Sequence, residues 1–380
     1  MKVGLMTLYY NNTNYGGQLQ AYALQTAVSE LGHSAMQISF DSSVNFTVPS
    51  IKQDRKNIFF QIKKIPKKFQ ERLFINKWML ERRKIDKSIL EFSEKIPHTL
   101  IVNEKTIKSI SDEFEAYICG SDQVWNPGCQ DARFFDFTEI GKIKLSYAAS
   151  LGKELSPREH LDRIANMTHD FQAVSVRESC HKEMLNSVCN MDVKLVPDPV
   201  FLLTKEQWGE FASENKISEK YIFAYLLGDD IKVREQCKKL AQIMGYHLIY
   251  IPYLNRNTYV WDSRHKQFHV NAPKVEEFVA LIKNAEMIIT DSFHGTAFSI
   301  IFGKKVISIK RYHQKDRESS NSRIDTLFQW IGKDYERYNF FPKSVNQIDS
   351  MGDVENRVRQ MRQTGLQFLK EQLIGGESND

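Results

Sequence analysis

Short apolar runs alternate with helical spacing through most of the chain. Lys2–Leu8 reads as a buried strand, and Tyr9–Gly17 as a polar loop rich in Asn and Gly. Over Gln18–Leu31, Leu19, Ala23, Ala27 and Leu31 fall near one helical face. Gly32 is placed to end that helix, and Ala35–Phe40 forms the next strand. A strand, helix and strand in succession imply a parallel sheet with helices on its faces. The rhythm breaks at about 51–100. There Phe59, Phe60, Ile62, Ile65, Phe69, Leu73, Trp78 and Leu80 recur at helical intervals among basic residues, with Pro66 expected to split the segment.

Strands are expected again at Phe114–Cys119, Leu145–Ser150, Ala173–Val176 and Val193–Val196. The last runs into Pro197-Asp198-Pro199, a stiff extended stretch. A boundary near Leu203-Thr204 divides the chain into 1–203 and 204–380. The second half repeats the scheme: strands at Tyr221–Leu226, His247–Pro252, Glu286–Thr290 and Lys305–Ile309, with helices at Ile231–Met244, Val275–Lys283 and Phe293–Phe302. A long terminal helix is expected at about 354–373. The fold class is α/β: two Rossmann-like domains with parallel sheets and a helical insertion in the first. Such pairs hold ligands in the cleft between them.

Composition narrows the function. The 380 residues are 42% hydrophobic and 26% charged, which excludes a largely disordered chain. Net charge is +5, but 51–100 carries 14 Lys/Arg against 6 Asp/Glu, so the remainder sums to −3. No nucleic-acid partner is expected from that balance. The basic insertion is a solvated face or, as the second reading, a peripheral contact with a membrane surface or acidic polymer. The start does not read as a signal peptide, and no run of about 18 apolar residues occurs. Cysteines 119, 129, 180, 189 and 237 form no CxxC pair. Reduced thiols, no metal site and a cytoplasmic setting, including the inner face of the membrane, are the expectation.

Four segments could carry chemistry. In Thr290-Asp291-Ser292-Phe293-His294-Gly295-Thr296 a strand ends and Ser292 is placed to cap a helix, so His294 and Gly295 fall in its first turn. Free N–H groups there attract anions, and Gly295 would keep the approach open. His294 could then donate a proton to an anionic substrate; the alternative is a histidine that only bonds the strand ends. Gly120-Ser121-Asp122-Gln123-Val124-Trp125-Asn126-Pro127 suits a sugar, or an N-cap followed by a core Trp. Arg177, in Ser175-Val176-Arg177-Glu178, could fork a phosphate or carboxylate, or pair with Glu178 or another acid. Lys310 to Lys315, with Arg323 shortly after, should emerge beside the His294 helix. Neither GxGxxG nor GxxxxGK[ST] occurs.

Taken in order, these pieces resemble the polysaccharide pyruvyl transferase family. The resemblance rests on Asn14-Tyr15-Gly16 with Leu19 to Leu24, Ile118 to Asn126, and Tyr147-Ala148-Ala149-Ser150-Leu151-Gly152. It continues through Ser175 to Glu178, Asp198-Pro199-Val200, Thr290 to Gly295 and Asn321-Ser322-Arg323-Ile324. It implies a glycosyltransferase-B-like fold that moves the pyruvyl group of phosphoenolpyruvate onto two sugar hydroxyls as a cyclic ketal. His294 resembles the family's essential histidine and Arg177 its donor-binding arginine, with Lys310 or Lys315 as a further cation. The expected donor set is Ser292, Gly295, Lys310, Lys315 and Arg323, in the second half. The expected acceptor set is Asn14, Tyr15, Ser121, Asp122, Gln123, Trp125 and Asn126, in the first. Expected partners are phosphoenolpyruvate, as donor substrate with no cofactor, and a sugar or lipid-linked oligosaccharide; no oligomeric state is set. A nucleotide-sugar glycosyltransferase is the enzymatic alternative, disfavoured because Ser299 and Ile300 stand where an acid would hold the ribose. A non-catalytic polysaccharide- or membrane-binding protein is the other.

Overall fold

The computed structural model describes residues 1–42, 65–253, 258–311, 322–342 and 347–374, with side chains described from Lys77 onward in the helix that begins at Ile65. Its first half runs β1 (Lys2–Met6), α1 (Tyr15–Glu30), β2 (Ser34–Gln37), α2 (Ile65–Ser93), β3 (Ala116–Cys119), β4 (Ile143–Ser146), α3 (Arg158–Met167), β5 (Ser175–Val176), α4 (Ser179–Asn186) and β6 (Lys194–Leu195). The second runs α5 (Lys205–Phe211), β7 (Tyr221–Tyr225), α6 (Ile231–Met244), β8 (His247–Tyr250), α7 (Tyr259–Arg264), α8 (Val275–Asn284), β9 (Met287–Thr290), α9 (Phe293–Ile301), β10 (Lys305–Ser308), α10 (Ser322–Trp330) and α11 (Glu355–Ile374).

Each half carries a four-stranded parallel sheet, ordered β2-β1-β3-β4 and β10-β9-β7-β8. Strands buried on both faces explain the unbroken apolar runs, such as the fully buried Ala116–Cys119 and Met287–Thr290. The fold is of the glycosyltransferase-B type.

Several boundaries move for identifiable reasons. Helix α1 starts at Tyr15 rather than Gln18 because the Asn14 side chain accepts from Gly16 N–H and caps it. Strand β4 stops at Ser146, and Ala148 then takes a left-handed conformation (φ +55°) that cannot extend it. Pro66 does not split α2: it lies in the first helical turn, where its missing N–H leaves no bond unmade. Phe59, Phe60 and Ile62 lie outside the described residues.

The halves are not independent cores. The largest apolar cluster joins Tyr15, Leu19, Ile85, Ile89 and Phe92 to Phe278, Phe298 and Trp208 across the seam. Tyr15 stacks on Phe278 with ring centroids 4.5 Å apart, and its hydroxyl donates to Pro273 O. The terminal helix also crosses over. Phe368, Leu369 and Leu373 pack on Val3, Leu5 and Ile118 of the first sheet. This helix, grouped with the second half by its place in the sequence, thus completes the core of the first. Among the described residues no helix is long and apolar enough to cross a membrane.

Candidate active site

Four chain segments converge at the carboxyl ends of both sheets, where the halves meet. Asp198 is held by two prolines in an extended conformation (ψ 145°) that ends the linker between the sheets. Its Oδ2 accepts from Arg177 Nη1 at 2.6 Å and Ser121 Oγ at 2.9 Å, and its Oδ1 from Val200 N–H at 3.1 Å. Burial pushes the Asp198 pKa up, but His294, Arg177 and the Val200 amide outweigh it and hold the carboxyl well below the ordinary range.

Arg177 is 1% exposed in its side chain and is bonded through all three nitrogens. Nε donates to Glu178 at 3.3 Å, Nη1 to Asp198, and Nη2 to Asp122 at 3.1 Å. The Phe293 ring covers one face, 4.6 Å from the guanidinium carbon. Burial alone would lower its pKa; Glu178, Asp198 and Asp122 raise it above the ordinary value. Of the two sequence readings, pairing with acids describes its contacts. Asp122 reaches it from a left-handed backbone (φ +63°), a conformation short polar residues tolerate.

Glu178 continues the network. It accepts from Ser150 Oγ at 2.7 Å and from His181 Nδ1 at 2.9 Å, while His181 Nε2 donates to Lys153 O at 2.8 Å. Both imidazole nitrogens thus carry protons. Burial favours a neutral ring, yet Glu178 outweighs it and lifts His181 to about 10; the Glu178 carboxyl, despite burial, falls to about 2 under His181 and Arg177. A pKa raised on folding gives stability that is complete below the unfolded value, near 6.5, and lost as pH climbs to the folded one. The thermal midpoint should therefore fall as pH rises from about 6.5 towards 10. In His181→Gln that slope should flatten, and an unchanged slope would refute the assignment. The Glu178 contribution runs the other way, being lost as pH falls from about 4.5 towards 2.

His294 lies in the first turn of α9, 6% exposed, with Ser292 capping that helix by accepting from Gly295 N–H. Its Nε2 sits 3.7 Å from Asp198 Oδ1, too long for a hydrogen bond, and has no other hydrogen-bond partner among the described residues. The ring lies against the first turn of α1. A Cβ on Gly16 would stand 2.0 Å from His294 Nδ1, so only glycine fits there. Gly295 serves differently from expectation: its Cβ would stand 2.4 Å from Thr290 Oγ1, so it lets α9 pack on β9 rather than opening a path to a ligand.

The remaining cations divide. Lys310 turns away, its Nζ 2.5 Å from Glu336 Oε1 and over the Tyr335 ring. Arg311, its neighbour, takes its place: Nη2 donates to Asp291 O at 2.9 Å, while Asp291 accepts from the Leu227 and Gly228 amides at 2.7 Å each. Arg323 enters from the start of α10, and its Nε is buried with no hydrogen-bond partner among the described residues. Burial first, then the like charges of Arg177 and Arg311, pull its pKa down to about 10. A bound anion would relieve both effects. Lys315 lies outside the described residues.

The expected acceptor set scatters. Ser121 and Asp122 join the Arg177 network. Trp125 is fully buried and stacked on Phe134, centroids 5.4 Å apart, because the turn after β3 folds it into the first core. It offers no face to a sugar. Tyr15, almost wholly buried in the seam, lines a cavity there together with Asn14. Asn126 closes a local turn with Gln123 O and Gly128 N. Gln123, half-buried, lies against Gly152. Asn14 remains exposed at the tip of α1. The alternative of a core Trp after an N-cap-like turn is the one that describes Trp125.

Asp198, Glu178, His181 and Arg311 were not selected as site residues from sequence. The signals were present: an Asp between two prolines, and an acid and histidine three apart at a helix start. Among the described residues no group of three or more His, Cys, Asp or Glu could hold a metal ion.

Solved structures with similar folds include UDP-GlcNAc 2-epimerase from Methanocaldococcus jannaschii in complex with UDP-GlcNAc and UDP. That likeness has 12% identity, covers 96% of this chain and 99% of that one, and has a TM-score of 0.50. The UDP-GlcNAc 2-epimerase from Neisseria meningitidis is 12% identical over 97% and 100% of the chains, with a TM-score of 0.46. At such identities the likeness concerns fold. A comparison with curated protein sequences gives no match. The family model for polysaccharide pyruvyl transferase matches residues 14–312, from the cap of α1 past His294 to the loop after β10. The chain therefore belongs to the polysaccharide pyruvyl transferase family.

Proposed function

We propose that the chain moves the pyruvyl group of phosphoenolpyruvate onto two hydroxyls of one sugar, in a cell-surface polysaccharide or its precursor, and releases phosphate. One observation carries this reading. A histidine and an arginine, His294 and Arg323, each present a buried nitrogen that has no hydrogen-bond partner among the described residues, beside the Arg177 network. Buried polar groups left unsatisfied in a native fold call for a partner, and a compact anion supplies it.

The chemistry balances with these groups. His294 Nε2 gives a proton to the methylene carbon, making the adjacent carbon electrophilic. The first hydroxyl oxygen adds there, and its proton returns to His294. The carbon–oxygen bond to phosphate breaks, the second hydroxyl closes the ketal, and its proton leaves on phosphate. Arg323, with the Ser292-capped start of α9, would hold the donor's negative groups. Arg177 acts at one remove, fixing Asp198 opposite the imidazole.

Calorimetry tests donor choice directly. Phosphoenolpyruvate should bind, and Arg323→Ala should weaken that binding at least tenfold, the loss expected for one charge-assisted bond of about 1.5–3 kcal/mol. Binding of UDP in its place, with none of phosphoenolpyruvate, would sink the proposal and favour the nucleotide-sugar alternative. The setting that goes with this reading is the cytoplasm or the inner membrane face, where envelope sugars are built.

A further inference from the structure

With Trp125 buried in the first core, the acceptor needs another wall. A cavity of about 120 Å³ opens at the seam beside the cap of α1. Asn14, Tyr15 and Arg82 line it from the first half, Tyr225 and Tyr253 from the second, over an apolar floor of Ile85 and Ile89. Arg82 fixes its shape: Nη1 donates to Tyr253 O at 3.0 Å, and the guanidinium carbon sits 5.1 Å from the Tyr253 ring centroid. Its charge is met by Asp86 Oδ1, 2.8 Å from Nε. Tyr253 stays half-exposed and Asn14 exposed.

The cavity adjoins the candidate catalytic residues. Asn14 caps the helix whose Gly16 abuts the His294 ring. Tyr225 O accepts from Thr290 Oγ1 at 2.7 Å, at the end of the strand that leads into the His294 helix.

We infer that this cavity seats one neutral, terminal sugar ring of the acceptor, so that the chain modifies an end residue rather than an internal one. The inference rests on the pyruvyl-transfer reading. Size supports it: pockets that engulf a drug-sized ligand run to about 300–1,000 Å³, and at about 120 Å³ this one is too small for more than a single ring. Chemistry supports it as well. A carboxamide and a phenol can bond hydroxyls, isoleucines and a tyrosine ring suit C–H faces, and among the described residues the one cation lining the cavity, Arg82, already has its counter-ion in Asp86.

Saturation-transfer NMR on the full chain, with methyl β-D-galactopyranoside, methyl β-D-glucopyranoside and methyl β-D-mannopyranoside, tests the inference. At least one glycoside should receive saturation around its ring. Asn14→Ala and Tyr253→Ala should each raise its Kd at least tenfold, with Tyr253→Phe losing less. Phosphoenolpyruvate affinity, read separately by calorimetry, should stay within twofold in all three variants. Failure of all three glycosides to bind, or a Kd unmoved in both alanine variants, would overturn the cavity assignment. Glycoside binding that is lost in those variants, in a chain that takes no phosphoenolpyruvate, would keep the cavity and overturn the donor instead.

Discussion

Replacing His294 by Ala should lower acceptor-dependent phosphate release from phosphoenolpyruvate by about 10²–10⁴-fold, the usual worth of a positioned general acid. The fold should survive the change. Asp198 keeps Arg177, Ser121 and the Val200 amide as donors after the imidazole is gone, and among the described residues Nε2 makes no hydrogen bond that would be broken. His294→Gln separates chemistry from architecture. Glutamine fills much of the space and can still hydrogen-bond, but its amide cannot act as a general acid. Both variants should be equally inactive. Recovery of most activity by glutamine would reduce His294 to a spacer between α9 and Gly16.

The second large effect is on stability. Arg177→Ala should cost about 3–5 kcal/mol, because it strands buried carboxylates that have lost their common cation. Asp198 and Glu178 are almost wholly buried, at 0% and 2% side-chain exposure, so water cannot replace the lost bonds. Lysine should not rescue. One ammonium cannot reproduce the planar fork that meets Glu178, Asp198 and Asp122 from three nitrogens. A lower denaturant midpoint in both Arg177→Ala and Arg177→Lys is the expected outcome. Unaltered midpoints with lost turnover would instead make Arg177 a direct donor ligand, as the family resemblance implies.

Much of the architecture was legible because buried parallel strands write themselves as continuous apolar runs, and helices here carry plain signals. Ser292 and the Gly295 amide, or Gly245 at the end of α6 (φ +66°), are local events within a few residues. Less legible was anything settled between distant segments. Trp125 follows a strand end, as a sugar-stacking aromatic would, but Phe134 nine positions later claims its face. Tyr15 sits in a loop-like stretch, yet its partner, Phe278, comes from the other half. Lys310 and Arg311 are adjacent and alike in charge. Which one faces the seam depends on Glu336 capturing the lysine and Asp291 the arginine. Glycines mislead for the same reason. Gly295 looks like an opening for a ligand, and only the 2.4 Å approach to Thr290 reveals a packing constraint.

Asp198 is the most instructive residue in the site. Two prolines mark a stiff stretch, and what that stretch presents is the buried Asp198 carboxylate. Fixed backbone on both sides places Oδ1 towards His294 and Oδ2 onto Arg177, so the joint between the two sheets also joins the residues of the candidate site. Stability and chemistry are coupled there, and substitutions at Arg177 or Asp198 should disturb both.

The most direct measurement is the product itself. The full chain, phosphoenolpyruvate and a panel of sugar acceptors are incubated in D₂O, and the sugar fraction is read by NMR and mass spectrometry. Transfer as derived gives a ketal whose methyl group carries one deuterium, with one phosphate released per ketal, and both at least about 10²-fold slower with His294→Ala. A sugar that gains a glycosyl unit only when a nucleotide sugar is supplied, with phosphoenolpyruvate left intact, would contradict it.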